Sequence, residues 1–286
     1  MIILETPAAM RAWADEQRRR GLRHGLVPTM GALHAGHAAL VNAASSHSDV
    51  VTVSIFVNPL QFNRRDDFDL YPRPIEDDIK TCTRLGVSAV YAPTAAAMYP
   101  AGFETHVEPG ALASPMEGAG RPGHFRGVTT VVAKLLAATR PDLAVFGQKD
   151  FQQLAVIRRM VTDLDLGIEI LGFETVREPD GLAMSSRNRR LTEDQREAAV
   201  VIPRALDAAA EHHGHGSAAM REAALTVLGG EPLARLEYLE IVRPDTLLPP
   251  DDPSTPAGGD LVVLVAVWFG DVRLIDNRLV LGRSKQ

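Results

Sequence analysis

The stretch Leu26-Val-Pro-Thr-Met-Gly-Ala-Leu-His-Ala-Gly-His37 constrains this chain more than any other. Leu26 and Val27 close a short apolar run that reads as a buried strand. Pro28 lacks the N–H that a central ladder uses, so the strand is expected to stop there. Gly31 and Gly36 allow a tight turn and close backbone approach. From Gly36 onward the spacing of Ala38, Leu40, Val41 and Ala44 is helical. Two histidines, His34 and His37, therefore sit where a strand hands over to a helix, and at three residues apart they can share one helix face. A helix N-terminus offers N–H groups and the positive end of a dipole, which suits a phosphate. Two imidazoles there can donate hydrogen bonds to phosphate oxygens, and Gly36 between them leaves room for a nucleotide. The same four residues also fit a chance match, or a metal pair with no cysteine or third ligand nearby.

The rest of the chain extends this pattern. Residues 50–57 are nearly continuous apolar and β-branched, as in a strand buried on both faces. Strand-like runs at 1–4, 26–29, 50–57, 87–92, 142–146 and 168–173 alternate with helical segments at about 6–20, 36–47, 75–85, 128–139 and 150–164. The alternation predicts an α/β fold with a doubly wound, Rossmann-like parallel sheet. Residues 63–74 are charged and aperiodic and read as a mobile loop. Residues 93–126, rich in Gly, Pro and Ala, are too long for an ordinary connection, and such loops are often functional. The pattern changes near Val176. Helices at 192–212 and 217–228 precede strands at 236–242, 261–268 and 273–280, with a Pro/Asp/Gly loop at 249–260. This predicts a smaller C-terminal α+β domain, with the boundary between 175 and 176.

Charge and composition exclude several classes. The 286 residues carry a formal net charge of −6, so no global field draws nucleic acid, and an anionic ligand must be held by local groups. The longest apolar run, 261–269, is far too short to span a bilayer. The lone cysteine, Cys82, cannot form an internal disulfide and reads as a packing residue in a helix, which suggests a reducing cytoplasm. The first residues lack a basic segment and a cleavage-type site, so no signal peptide is expected.

Further segments can carry chemistry. Asn58 and Gln61 lie just past a strand's C-terminal end, the usual ligand edge of such sheets. Phe146-Gly-Gln-Lys-Asp150 repeats the first site's design, with Gly147 at a strand end and Lys149 at a helix start, where a lysine is a flexible point charge for phosphate. It reads equally as a solvated lysine beside a capping Asp150. Gln152 and Gln153 lie one turn into that helix, and one could face the cleft. Met184-Ser-Ser-Arg187 offers two hydroxyls and a guanidinium that suit a polyphosphate, or a capping serine pair with a surface arginine. His212, His213 and His215 look like a metal cluster but fall at a helix end, where imidazoles also suit the dipole.

Five blocks occur in the order seen in pantothenate synthetases: residues 28–37, 54–62, 121–127 (Arg-Pro-Gly-His-Phe-Arg-Gly), 146–153 and 184–188. The chain resembles that family over nearly its whole length. The first and last blocks also resemble, more distantly, the two signature motifs of class I aminoacyl-tRNA synthetases. The last lacks those enzymes' lysines, so Lys149 is assigned that charge. Gln148 stands where the family often has Glu, a change expected to be neutral. The resemblance implies ATP-dependent condensation of (R)-pantoate with β-alanine to pantothenate, AMP and diphosphate, through a pantoyl adenylate. It implies His37, His34 and Lys149 as catalytic groups. It implies ATP contacts along Met30, Gly31, Ala32, Leu33, His34, Ala35, Gly36 and His37. Further ATP contacts are implied at Gly147, Gln148, Lys149, Asp150, Val176, Met184, Ser185, Ser186 and Arg187. Gln61, Gln153 and Asn58 would hold the other substrates. Magnesium should accompany the diphosphate, within reach of Asp77 or Asp78. It further implies a nucleotide- and pantoate-binding domain over 1–175, a closing lid over 176–286, and a homodimer. A nucleotidylyltransferase and a nucleotide-binding module without catalysis are the rival readings. Replacing Lys149 by Ala should cripple adenylate formation while the fold survives, at about 2–4 kcal/mol in the transition state. Near-normal adenylation by the variant would remove Lys149 from the site.

Overall fold

The computed structural model describes residues 1–63, 65–254 and 259–282. Arg64, residues 255–258 of the expected 249–260 loop, and 283–286 lie outside them. The chain divides into two compact units, Met1–Gln148 with Val156–Glu174 and Lys149–Ala155 with Thr175–Gln286.

In the first unit β1 (Ile2–Leu4), β2 (His24–Thr29), β3 (Val50–Ile55), β4 (Ala89–Tyr91), β5 (Leu143–Gly147) and β6 (Glu169–Phe173) form one parallel sheet. Their order is β1-β4-β3-β2-β5-β6. From β2 the chain passes through the helix Ala35–His47 to β3 on one side, and β5 lies on the other. The sheet order thus reverses between β2 and β5, and ligands of open α/β sheets bind outside the carboxyl ends of strands at such a point. The central strands are buried on both faces, as Leu26, Val27 and Val53 show. Val27, Val53 and Val145 join Val41 and Ala44 of one helix and Cys82 of another (Ile75–Arg84) in one apolar cluster. Gly25 lets the first of these helices come close, since a Cβ there would stand 2.5 Å from Ser48 Oγ.

Three readings of the sequence need correction. Pro28 does not end β2, which runs on to Thr29 and pairs Pro28 with Ser54 of β3. The Thr29 carbonyl accepts from Phe56 N–H on the β3 side. Backbone groups alternate along a strand, so the imide nitrogen of Pro28 faces β5, where pairing covers Gly25 and Leu26. The missing donor falls where no ladder continues. Residues 63–74 hold a short helix, Arg65–Asp69, with Phe62 meeting the Phe68 ring at 5.4 Å and the Tyr71 ring at 5.8 Å. The expected helix 192–212 is two, Glu193–Ala198 and Val201–Glu211, because Pro203 is tolerated only near a helix start.

In the second unit β7 (Arg235–Val242), β8 (Leu261–Phe269) and β9 (Val272–Val280) form an antiparallel sheet in that order. Val263, Val265 and Val267 of β8 share a core with Ile202, Leu206, Met220 and Leu228 of the helices Val201–Glu211 and Ser217–Gly229. No helix among the described residues is long and apolar enough to cross a membrane.

His24 opens β2 inside the first unit. Its Nε2 lies 2.7 Å from Thr52 Oγ1, and its ring meets Trp13 edge-on at 5.3 Å. Burial lowers its pKa to about 4 from the ordinary 6.5, with Asp142 opposing. The unfolded chain therefore takes up this proton first as pH falls. The stability contribution is whole above pH 6.5 and is lost on descent towards pH 4. Between pH 7.5 and 5 it amounts to about 2 kcal/mol. Urea unfolding of His24→Leu at both pH values should show a loss smaller by that amount, and an equal loss in both proteins would refute it.

Candidate functional site

The turn after β2 is built by backbone contacts. Thr29 Oγ1 donates to the Ser54 carbonyl at 2.7 Å and accepts from Gly31 N–H at 3.1 Å. Gly31 has φ +80° and Ala32 φ +52°, so two successive residues are left-handed. A buried carboxylate holds this conformation. Asp78 Oδ2 accepts from Ala32 N–H at 2.9 Å and Oδ1 from Leu33 N–H at 2.7 Å. A Cβ on Gly31 would stand 2.8 Å from Asp78 Oδ2, so the carboxylate can sit there only against glycine. Asp78, expected within reach of magnesium, thus spends both oxygens on the turn, and exposed Asp77 pairs with Lys80 at 3.0 Å.

The helix Ala35–His47 starts on a reciprocal histidine cap. His34 is its N-cap, and its Nδ1 accepts from Gly36 N–H at 3.1 Å. His37 Nδ1 accepts from His34 N–H at 3.3 Å. The ring centroids are 4.1 Å apart. Accepting at Nδ1 assigns the proton of each neutral ring to Nε2, which makes Nε2 a donor. Gly36 serves the cap itself: a Cβ there would stand 2.8 Å from His34 Cε1, so its missing side chain makes room for the ring before any nucleotide.

Asn58 and Gln61 come together past β3, on the one-turn helix Pro59–Gln61. Asn58 is buried, donating from Nδ2 to Gln61 Oε1 at 3.0 Å and to the Gly127 carbonyl at 3.1 Å. Its Oδ1 accepts from the Tyr99 hydroxyl at 2.7 Å. Burial pushes the Tyr99 pKa up, so the phenol stays a donor. Gln61 Nε2 reaches Met30 Sδ at 3.2 Å, joining this turn to the one after β2. The block 121–127 supports it from behind. His124 Nδ1 donates to the Gln61 carbonyl at 2.9 Å, and Arg121 donates to the same carbonyl at 3.2 Å. A Cβ on Gly127 would run into the Leu60 carbonyl, so glycine is needed where the helix His124–Thr139 meets the turn. Gly147, half-buried at the end of β5, has open space where a Cβ would point, and half-buried Gln148 follows it.

The second unit carries the remaining residues. Lys149 is half-buried and Asp150 exposed. Gln152 is buried, whereas Gln153 is half-exposed. Val176 and Met184 face each other across a tight hairpin, Met184 N–H donating to the Val176 carbonyl at 2.9 Å. Ser185 caps the turn Ser186–Arg190, its Oγ accepting from Arg187 N–H at 3.2 Å. Ser185, Ser186 and Arg187 are all half-exposed. Among the described residues no group of His, Cys, Asp and Glu is arranged to hold a metal ion, and His212 Nδ1 lies 2.8 Å from the Ala208 carbonyl in its own helix.

The family model described as Pantoate-beta-alanine ligase matches residues 2–279. The chain belongs to this family. It is 52% identical over 281 residues to Pantothenate synthetase 1 of Bradyrhizobium diazoefficiens, covering 96% of each chain. It is 48% identical over 280 residues to the pantothenate synthetase of Moorella thermoacetica, covering 97% of this chain and 98% of the relative. The fold matches the crystal structure of pantothenate synthetase from Thermus thermophilus with a TM-score of 0.91 and 44% identity, covering 97% of this chain and 99% of that one. It also matches pantoate-beta-alanine ligase from Francisella tularensis, crystallised with beta-gamma ATP and beta-alanine. The TM-score there is 0.80 at 34% identity, with 98% of this chain and 97% of that one covered.

For this pantoate-beta-alanine ligase the sequence left Tyr99, Arg121 and His124 without a role and gave Asp78 only a magnesium role. These four residues form the support behind Ala32, Asn58 and Gln61. The block Arg-Pro-Gly-His-Phe-Arg-Gly was the available signal for two of them, whereas nothing local marks Asp78 as the clamp of a turn 46 residues earlier. Asp78→Asn keeps one acceptor and turns an amide N–H towards a backbone donor. It should cost about 1–3 kcal/mol in urea unfolding. Turnover of the folded variant should fall at least about tenfold, because a displaced turn misplaces both histidines. Lower stability with full turnover would limit Asp78 to a structural role.

Proposed function

We propose that this chain condenses (R)-pantoate with β-alanine at the expense of ATP, releasing AMP and diphosphate, through a pantoyl-adenylate intermediate. The observation that carries this reading is the histidine-capped helix at the switch point of the sheet, in a member of the pantoate-beta-alanine ligase family. The Francisella relative's complex with beta-gamma ATP and beta-alanine supports the same two ligands here. In the first step a pantoate carboxylate oxygen attacks the α-phosphorus and the bond to the bridging oxygen of diphosphate breaks. In the second the β-alanine amine attacks the acyl carbon, the bond to the AMP oxygen breaks, and the amine proton is lost. The protein need not become acylated, so positioning and neutralisation of developing charge supply the catalysis.

Residues of the first unit are assigned as follows. The Nε2–H groups of His34 and His37 hold phosphate oxygens, with His37 at the leaving bridging oxygen. Met30 and the backbone from Gly31 to Gly36, with Gly147 and Gln148, line the nucleotide. Gln61 holds pantoate, and Asn58 with Gln61 admits β-alanine. In the second unit Lys149, Ser185, Ser186 and Arg187 take the triphosphate, Asp150, Val176 and Met184 border the nucleotide, and Gln153 binds pantoate. Magnesium would be held chiefly by the phosphates and water, as is usual for this ion. The closing role of the C-terminal part, a cytoplasmic location and a homodimer belong to the same proposal.

The order of chemistry can be tested directly. With pantoate present and β-alanine absent, labelled diphosphate should exchange into ATP. Oxygen label from the pantoate carboxylate should appear in AMP once β-alanine is added. Exchange that requires β-alanine, or AMP without the carboxylate label, would sink the adenylate. A nucleotidylyltransferase would keep AMP in its product, and a binding module would do neither.

A further inference from the structure

β9 contains an irregularity that its place in a hydrophobic sheet does not explain. Val272 and Leu274 face the core of the second unit, and Asp276 follows on the same face with 2% of its surface exposed. Asn277, on the opposite face, is also buried. A carboxylate in such a place is costly unless it is paired and hydrogen-bonded. Here Arg177 grips it with two guanidinium nitrogens, at 2.7 and 3.1 Å, and Asn277 N–H donates to Oδ1 at 2.8 Å. Replacing a buried pair of this kind by packed apolar groups is often neutral or stabilising, so its presence calls for a reason other than stability.

The surroundings supply one. The Arg177 guanidinium also donates to the Gly181 carbonyl at 2.9 Å and to the Asn277 carbonyl at 3.2 Å. It thereby fixes the hairpin on which Val176 and Met184 face each other. Asn188 carries the hold onward, donating from Nδ2 to the Ala183 carbonyl at 3.1 Å and so tying down the turn that bears Ser186 and Arg187. On its other side the pair reaches the remaining charged segment: Asn277 Nδ2 donates to the Lys149 carbonyl at 2.9 Å. Two adjacent side chains of β9 thus join Lys149 to the hairpin of residues 176–184. Those segments lie apart in sequence: Lys149 is assigned to the triphosphate, and the hairpin leads directly into Ser185, Ser186 and Arg187, which share that assignment.

We infer that Asn277 is a positioning residue for the ligase reaction, holding the backbone of Lys149 in register with the Met184-Ser-Ser-Arg187 segment through the Asp276–Arg177 pair. The inference rests on the reading of Lys149 as a triphosphate group. The hold acts on the main chain of Lys149 and leaves its ammonium free to move onto phosphate. A loosened backbone by about an ångström costs up to about a hundredfold in a positioned reaction.

The test is a double-variant cycle on diphosphate–ATP exchange with pantoate, using the full-length enzyme. Asn277→Ala, Lys149→Ala and the double variant are compared with the parent, with folding checked by circular dichroism and thermal melting. Asn277→Ala should slow exchange by about ten- to a hundredfold on its own, and by less than about twofold in the Lys149→Ala background, because it then has nothing left to position. Asn277→Ser is read in the same way should the alanine variant fail to fold. An equal loss in both backgrounds would show a merely structural asparagine and overturn the inference, as would normal exchange by Asn277→Ala. If Lys149→Ala exchanges normally, or the parent does not exchange at all, the underlying reading of the site fails instead, and with it the inference.

Discussion

The parting of β2 from β5 beyond Leu26 is the constraint on which the first unit depends. Up to Leu26 the two strands are paired, and beyond it β2 continues beside β3 alone among its two neighbours. Pro28 suits this position because its lost donor faces the side where pairing has stopped. The opening leaves the carboxyl ends of β2 and β5 without a ladder between them. A turn of two left-handed residues and a helix N-terminus then follow β2 at that edge.

Holding such a turn requires support from outside it. Left-handed backbone at Ala32 is costly for a residue with a Cβ and persists when the surroundings over-determine it. Asp78 does so by accepting two adjacent N–H groups from a buried position. It also raises the neighbouring Cys82 thiol, which burial and this charge together push to about 11, so the cysteine stays protonated and inert. The histidine cap works on the same principle at the next step along the chain. Each ring uses its Nδ1 to satisfy a backbone donor and thereby fixes which nitrogen carries the proton. Helix capping and the proposed phosphate recognition are then two uses of one side chain.

The second unit solves a comparable problem by a different device. Its proposed anion-binding groups lie on short irregular segments. A sheet strand adds rigidity to the packing of Leu182 in the core. Asp276 and Asn277 sit on β9 in full register with β8, and a bidentate guanidinium transmits that register to the hairpin. Arginine suits this because its planar fork matches a carboxylate and still has donors for carbonyls.

Much of this was legible in the sequence. The alternation of β-branched runs and helical spacing implied the parallel sheet, since a strand buried on both faces reads as an uninterrupted apolar run. Glycines and polar residues at strand ends marked His34, His37, Asn58, Gln61 and Lys149, since chemistry at a sheet edge needs polar groups where backbone can come close. What local pattern could not show were the contacts made across long separations. Asp78 reaching Ala32, Tyr99 reaching Asn58, His124 reaching the Gln61 carbonyl and Asn277 reaching the Lys149 carbonyl are each single side chains with no periodic signature. Pro28 was misread for the same reason: whether a proline breaks a strand depends on which neighbour its nitrogen faces. The sequence by itself determined the elements and the chemical groups at their ends, because both follow from short-range spacing and side-chain type. Tertiary structure alone decided which side chains hold others in place, because that depends on where burial brings distant polar atoms within hydrogen-bonding distance.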